Sequence, residues 1–221
     1  MHPILNDIRL VTFDLDGTLV DSVPDLAAAV DAALADLGLA PCGESRVRDW
    51  VGNGSLRLMQ RSLRHAQGRE PDAALLARAH QRFLDHYGRD PSARTRLYPG
   101  VREALNALRD RGVPLALVTN KPSTFIVPIL ETFGLAEHFS LCLGGDSLAQ
   151  KKPDPAPLLY VANQFDVLPS VCLMVGDSRH DIAAGKAAGF RTLAVPYGYN
   201  HGEPVRDSGP DGVVESLAEL V

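Results

Sequence analysis

The stretch Ile8-Arg9-Leu10-Val11-Thr12-Phe13-Asp14-Leu15-Asp16-Gly17-Thr18-Leu19-Val20-Asp21-Ser22 decides the fold. Its first six residues read as a strand, mostly apolar and bounded by a turn. Asp14 and Asp16 follow where that strand ends. Side chains two apart on a strand point the same way, so the two carboxylates converge at its carboxyl end. Open α/β sheets hold their ligands at that edge. Two close carboxylates resist double ionisation, which pushes one toward its protonated form. That suits a division of labour, with Asp14 as nucleophile and Asp16 as general acid and then base. Gly17 lets the backbone turn sharply beside a ligand. The competing reading is an ordinary acidic turn or part of a calcium loop. A calcium loop would continue with oxygen ligands at alternate positions and close with Glu. Leu19 and Val20 stand there instead.

Further strands follow as short apolar runs: 113–118, 139–143, 171–175, 191–195 and a short one at 213–214. Between them 101–111, 124–133, 156–165 and 179–188 carry helical spacing. Such alternation predicts an α/β fold, a Rossmann-like parallel sheet with helices on both faces. One segment breaks it. From about Ser22 to about Arg96 no strand is expected, and 23–37, 55–67 and 71–87 read as helices, the last with Pro71 in its first turn. Seventy helical residues are too many for a simple crossover. They predict an inserted helical cap domain over 21–96, with 1–20 and 97–221 forming the core. Its linkers lie near Pro24 and Tyr98-Pro99-Gly100.

Three more motifs fall at strand ends or helix starts. Thr119 and Asn120 close the second strand and can donate to phosphoryl oxygens, although both residue types also serve as helix caps. Lys152, in Lys151-Lys152-Pro153-Asp154-Pro155, can neutralise a phosphoryl group, or belong to a solvated basic pair. Asp177 ends the fourth strand in Gly176-Asp177-Ser178-Arg179-His180-Asp181. It is a metal ligand, a helix N-cap, or both, and Asp181 lies four residues on. A phosphomonoester dianion beside Asp14, Asp177 and Asp181 is a repulsive set that needs a dication and a lysine. Mg2+ fits, as a hard ion held by one or two carboxylates and water. Asp14 and Asp177 would bind it through carboxylates and Asp16 through its backbone carbonyl.

DLDGTLVDS, VTNKP, KKPDP and GDSRHDI, in that order, resemble the motifs of the haloacid dehalogenase superfamily of phosphatases. The resemblance covers the whole core, and the helical insertion is similar to that superfamily's helical cap. It implies Asp14 as nucleophile, Asp16 as acid/base, Thr119 and Lys152 as phosphate binders, Asp177 as a magnesium ligand and Asp181 as an indirect one. Dehalogenase members lack an acid two places after the nucleophile, so Asp16 sides with phosphatases and phosphomutases. Outside these motifs, Trp50-Val51-Gly52-Asn53-Gly54, Lys121-Pro122, Gly144-Gly145-Asp146 and 196–203 (PYGYNHGE) are similar to the bacterial phosphoglycolate phosphatase family. That likeness implies hydrolysis of 2-phosphoglycolate to glycolate and phosphate. The substrate's own carboxylate then needs a partner. Gly52, Asn53 and Gly54 can expose backbone N–H groups at a helix start, and Arg61 is a candidate cation, unless it is a solvated surface arginine.

Composition narrows the classes. Formal net charge is -5 with no Lys/Arg cluster to follow a phosphate backbone, so nucleic acid is not an expected partner. No apolar run is long enough to span a bilayer, and the first residues carry no signal core, so a cytoplasmic monomer or homodimer is expected. Cys42, Cys142 and Cys172 offer neither a disulfide framework nor a metal pair, and the last two are expected to be buried hydrophobes. Two rivals share parts of the pattern. A sugar-phosphate phosphatase or phosphohexomutase has the same architecture. A signalling receiver domain also phosphorylates an aspartate, but after a later strand and with no helical insertion.

Overall fold

The computed structural model describes residues 2–221. The chain enters β1 (Leu10–Phe13), turns through Asp14–Leu19 and makes a two-residue strand, β2 (Val20–Asp21). It then forms four helices: α1 (Val23–Ala35), α2 (Glu44–Trp50), α3 (Ser55–Gln67) and α4 (Ala73–Tyr87). It returns through β3 (Arg96–Leu97) and α5 (Val101–Asp110). The rest is β4 (Leu115–Val118), α6 (Ile126–Thr132), β5 (Leu141–Leu143), α7 (Ala156–Gln164), β6 (Cys172–Gly176), α8 (Arg179–Ala188), β7 (Arg191–Ala194) and β8 (Gly212–Val213).

Six strands form one sheet in the order β5-β4-β1-β6-β7-β8, with every pair parallel. β1 lies in the middle, so the residues that leave its carboxyl end stand between the ends of β4 and β6. Alternation divides β1 between two cores. Val11 and Phe13 pack on the face covered by α5 and α6, and Leu10 on the face covered by α7 and α8. Both faces are dry, which is why these strands read as apolar runs rather than as alternating ones.

The helical segment leaves and re-enters through the antiparallel ribbon β2–β3, which pairs Val20 with Leu97 and Asp21 with Arg96. The sequence pattern missed this ribbon because two residues are too few to show a period. It also missed α2, a seven-residue helix with Val47 as its buried residue. Pro71 lies just outside α4, which starts at Ala73 with Asp72 as N-cap, its side chain accepting from Leu75 N at 2.8 Å. The apolar core is continuous from the sheet into this segment: Leu26, Leu58, Met59, Phe83 and Tyr87 belong to the same cluster as Phe13, Phe125 and Ile126. Cys172 is buried, as expected, but Cys142 is only half-buried because β5 is an edge strand. No helix among the described residues is long and apolar enough to cross a membrane.

Candidate active site

Three parallel strands deliver the acidic groups and their partners to one edge. Asp14 follows β1, Thr119 follows β4 and Asp177 follows β6. Carboxylate oxygens of Asp14, Asp177 and Asp181 lie within 4.8 Å of one another, and all three residues are buried. Lys152, its side chain 2% exposed, is driven into this cluster. Its Nζ donates to Asp181 Oδ1 at 2.6 Å and stands 3.0 Å from Asp14 Oδ1. The second contact is an ion pair at an angle too poor for a hydrogen bond, so Oδ1 of Asp14 is buried with no donor. A solvated basic pair at 151–152 is thereby excluded for Lys152. Lys151 instead reaches the carbonyl of Asn53 at 2.9 Å.

The charges are unbalanced. Burial, opposed by Lys152 and then reinforced by Asp181 and Asp16, raises the Asp14 carboxyl to about 6. Asp177 is raised well above the carboxylate range by burial, then by the charges of Asp181 and Asp14. The ammonium of Lys152 is held charged: burial works against it, and Asp14 and Asp181 outweigh burial. The expectation that two close carboxylates push one of them toward its protonated form meets a different balance here: Asp14 is the raised one, and Asp16 is a lesser cause. Burial and Asp181 press harder on Asp14 than Asp16 does, and Asp16 has a cation of its own.

That cation is Lys121, whose Nζ lies 2.9 and 3.0 Å from the two oxygens of Asp16. Ser22 Oγ donates to Asp16 Oδ1 at 2.6 Å. Lys121 appeared in the sequence only as part of a likeness. Nothing in its spacing from Asp16 shows that the two meet, since 105 residues separate them.

Asp177 is fixed by groups that sequence reasoning left unassigned. Thr18 Oγ1 donates to its Oδ1 at 2.7 Å and Tyr199 N to its Oδ2 at 2.5 Å. Gly17, at φ +90°, and Gly198 close over it, and a Cβ at either would collide with the carboxylate. The loop at 196–203 thus has a physical task. Asp177 is not the N-cap of α8; Ser178 is, and Asp181 at the third helical position accepts from Ser178 N at 3.0 Å and Ser178 Oγ at 2.7 Å. Asp177 and Asp181 meet across a strand end and the first helical turn, not as a helical i,i+4 pair. Both fall within the motif GDSRHDI, so the neighbouring serine was the available signal.

Asn120 is placed differently from its expectation. Its Nδ2 donates to the carbonyls of Gly52 and Lys152, each at 2.9 Å, so the amide protons join the helical segment to the lysine loop. Thr119 is buried at the cavity, where its Oγ1 accepts from Lys121 N at 3.3 Å. Neither residue caps a helix. Arg61 is neither a solvated surface arginine nor directed at the cavity. It donates to the carbonyl of Trp50 at 2.7 Å and to Asn53 Oδ1 at 3.0 Å, bracing the 50–53 loop from behind. Gly52 and Gly54 do line the cavity, whereas Asn53 turns to His180, with Nδ2 to Nε2 at 2.8 Å. His180 is lowered to about 4 by burial and by His201, which makes it the neutral acceptor of that bond.

The cavity is partly open to solvent and measures about 40 Å³. Asp14, Asp16, Thr119, Asn120, Lys121 and Lys152 form its polar side, and Leu26, Val51, Leu58 and Phe83 its apolar side. A buried carboxylate beside a lysine, a second carboxylate with its own cation and a cluster of the kind that could hold a dication are the groups phosphoryl chemistry uses.

Comparison with known proteins agrees. The family model for haloacid dehalogenase-like hydrolases matches residues 8–189. The chain belongs to that family. Among curated relatives, the phosphoglycolate phosphatase of Nitrosococcus oceani is 44% identical over 217 residues, covering 98% of this chain and 96% of its own. Phosphoglycolate phosphatase 1 of Pseudomonas aeruginosa is 47% identical over 218 residues, covering 96% of this chain and 78% of its own. A crystal structure described as a predicted phosphoglycolate phosphatase from Haemophilus somnus superposes with a TM-score of 0.93 at 40% identity, covering 97% and 96% of the two chains.

Proposed function

We propose that this chain hydrolyses 2-phosphoglycolate to glycolate and inorganic phosphate through a covalent phosphate on Asp14. The observation that carries the reading is Asp14 Oδ1: a buried carboxylate oxygen without a hydrogen-bond donor, facing Lys152 at the floor of a small cavity. A carboxylate oxygen that lines a cavity with no hydrogen-bond donor spending its lone pairs is free to act as a nucleophile.

In the first step an oxygen of Asp14 bonds to phosphorus and the ester P–O bond breaks. Asp16 gives its proton to the departing glycolate oxygen. In the second step Asp16 takes a proton from water, whose oxygen bonds to phosphorus, and the bond to Asp14 breaks. Lys152, Thr119 and the turn at Asn120 hold phosphoryl oxygens as charge builds on them. Asn120 contributes chiefly by holding the Lys152 and Gly52 loops together.

The donor set fits a hard dication. Three buried carboxylates share the single ammonium of Lys152, and two of them are raised by burial and mutual repulsion. Asp14, Asp177 and the carbonyl of Asp16 would hold Mg2+, with Asp181 acting beside them. When bound, the ion neutralises that crowd and polarises a phosphoryl oxygen. The segment 21–96 serves as a lid over the core formed by 1–20 and 97–221. The small anionic substrate suits a cytoplasmic enzyme.

Phosphate release from 2-phosphoglycolate, measured against a panel of phosphomonoesters with and without EDTA, tests this. Phosphoglycolate turnover should exceed that of hexose phosphates and vanish in EDTA. Faster hexose phosphate turnover removes the substrate assignment, and isomer in place of free phosphate makes the chain a mutase.

A further inference from the structure

Lys121 has more to do than pair with Asp16. Its side chain is 2% exposed and its ammonium remains charged: burial works against the charge, and Asp16 with Tyr87 outweighs burial. An ammonium has three N–H groups, and two of them serve Asp16. Above it lies Tyr87, the last residue of α4, with its ring centroid 4.7 Å from Nζ. That ring is locked by an edge contact to Phe125 at 5.0 Å and a stack on Phe83 at 5.6 Å. Its hydroxyl is buried; the ammonium of Lys121 is the group beside it, and no acceptor takes the hydroxyl's own proton. An ammonium donates and cannot accept, so the buried O–H still lacks an acceptor, which a carboxylate supplies. Both residues line the cavity that holds Asp14 and Asp16.

We infer that Lys121 and the Tyr87 hydroxyl bind the carboxylate of the substrate, the end that does not react; the assignment rests on phosphoglycolate being that substrate. The connectivity of the substrate argues for it. In 2-phosphoglycolate the carboxyl carbon is two bonds from the ester oxygen that Asp16 protonates. A cation for that carboxylate must therefore stand beside Asp16, and Lys121 touches both of its oxygens. Arg61, the cation the sequence offered, is turned to Trp50 and Asn53 and lines a separate groove with Arg57 and Arg64. The charge balance agrees. Lys152 is committed to Asp14 and Asp181, so Lys121 is the remaining buried ammonium for a third negative group. Tyr87 comes from the helical segment and Lys121 from the sheet edge, so a carboxylate bridging them would also hold the two closed.

The experiment compares kcat/KM for 2-phosphoglycolate with that for ethyl phosphate, which keeps the two-carbon chain and lacks the carboxylate. Wild type, Lys121→Met and Tyr87→Phe are measured with Mg2+, and folding is checked by thermal melts. Wild type should prefer phosphoglycolate by ~100-fold or more. Lys121→Met should slow both substrates, because Asp16 loses its partner, but should cut the preference by ~30-fold or more, chiefly through KM. Tyr87→Phe removes one oxygen and should cut the preference by ~5- to 10-fold. If Lys121→Met does not fold, Tyr87→Phe decides alone. A preference that survives in every folded variant overturns the assignment and leaves Lys121 as a partner of Asp16 only. No preference in wild type overturns the substrate reading, and this assignment with it.

Discussion

The floor of the cavity is made of strand ends and the roof of helices, and different forces hold them. On the floor, buried charges face one another across a few ångströms: Lys152 between Asp14 and Asp181, Lys121 against Asp16, and Asp177 between Thr18 and Tyr199. Removing Lys152, Lys121 or Asp16 leaves a partner charged in a dry site, so those positions are intolerant of change, whereas Lys152 keeps Asp181 when Asp14 is made neutral. The roof is mainly apolar contact from Leu26, Val51, Leu58 and Phe83. Named polar ties bind its loop to the floor: Asn120 to Gly52, Lys151 to Asn53, Asn53 to His180 and His201 to Asp49. Each is worth about 1 kcal/mol net. We propose that a roof held that way parts from a floor that stays folded, to admit substrate and then exclude water.

Substitutions on the floor should act on chemistry, and substitutions in the roof on binding. Asp14→Asn should lower kcat by roughly 10⁴-fold or more while the protein melts no earlier than wild type, since a raised carboxyl has been made neutral. Retained turnover would break the comparison at its base. Asp16→Asn should cost about 10²- to 10⁴-fold in kcat, with Mg2+ affinity little changed, as a lost proton donor does. A loss confined to metal affinity would contradict that role.

Removing the metal tests the floor's electrostatics. The folded Asp14 carboxyl is at about 6 against an ordinary 3.8. As pH rises through that interval the unfolded chain gives up its proton first, so the metal-free protein loses stability, by about 3 kcal/mol at most from this group. The contribution is fully present below the ordinary value and gone above about 6. Asp177, raised further, extends the loss to higher pH. On the proposed metal site Mg2+ should remove the decline, because it would bind the deprotonated carboxylates. Denaturation midpoints across this range, in EDTA and in Mg2+, with Asp14→Asn as reference, measure it. An identical pH profile for wild type and variant in EDTA would show that the Asp14 carboxyl is not the source of the decline.

The smallest effect belongs to the roof. Arg61→Ala should lower kcat/KM by no more than about tenfold, through KM, because it loosens the 50–53 loop without touching the cavity. A fall of about 10²-fold or more would return Arg61 to direct recognition of the substrate.

Some of this was legible along the chain. Asp14, Thr119 and Asp177 each follow an apolar run, and the parallel order of those runs gathers them at one edge. Lys152 was legible as a residue but not as a buried one, since a basic pair before a proline usually stays in water. Thr18 and Ser22 lay in plain view within the first motif, yet nothing in a linear reading says which hydroxyl meets which carboxylate.

The sequence by itself determined the layers and the chemistry available at the sheet edge, because strand and helix periods are local properties and strand ends carry their side chains with them. Which cation serves which carboxylate, that Asn120 ties two loops rather than presenting its amide, that Arg61 faces away and that Tyr87 covers Lys121 were decided only by the tertiary structure. Those pairings join residues dozens to more than a hundred positions apart, and burial, which sets their charge states, exists only once the helices have closed on the sheet.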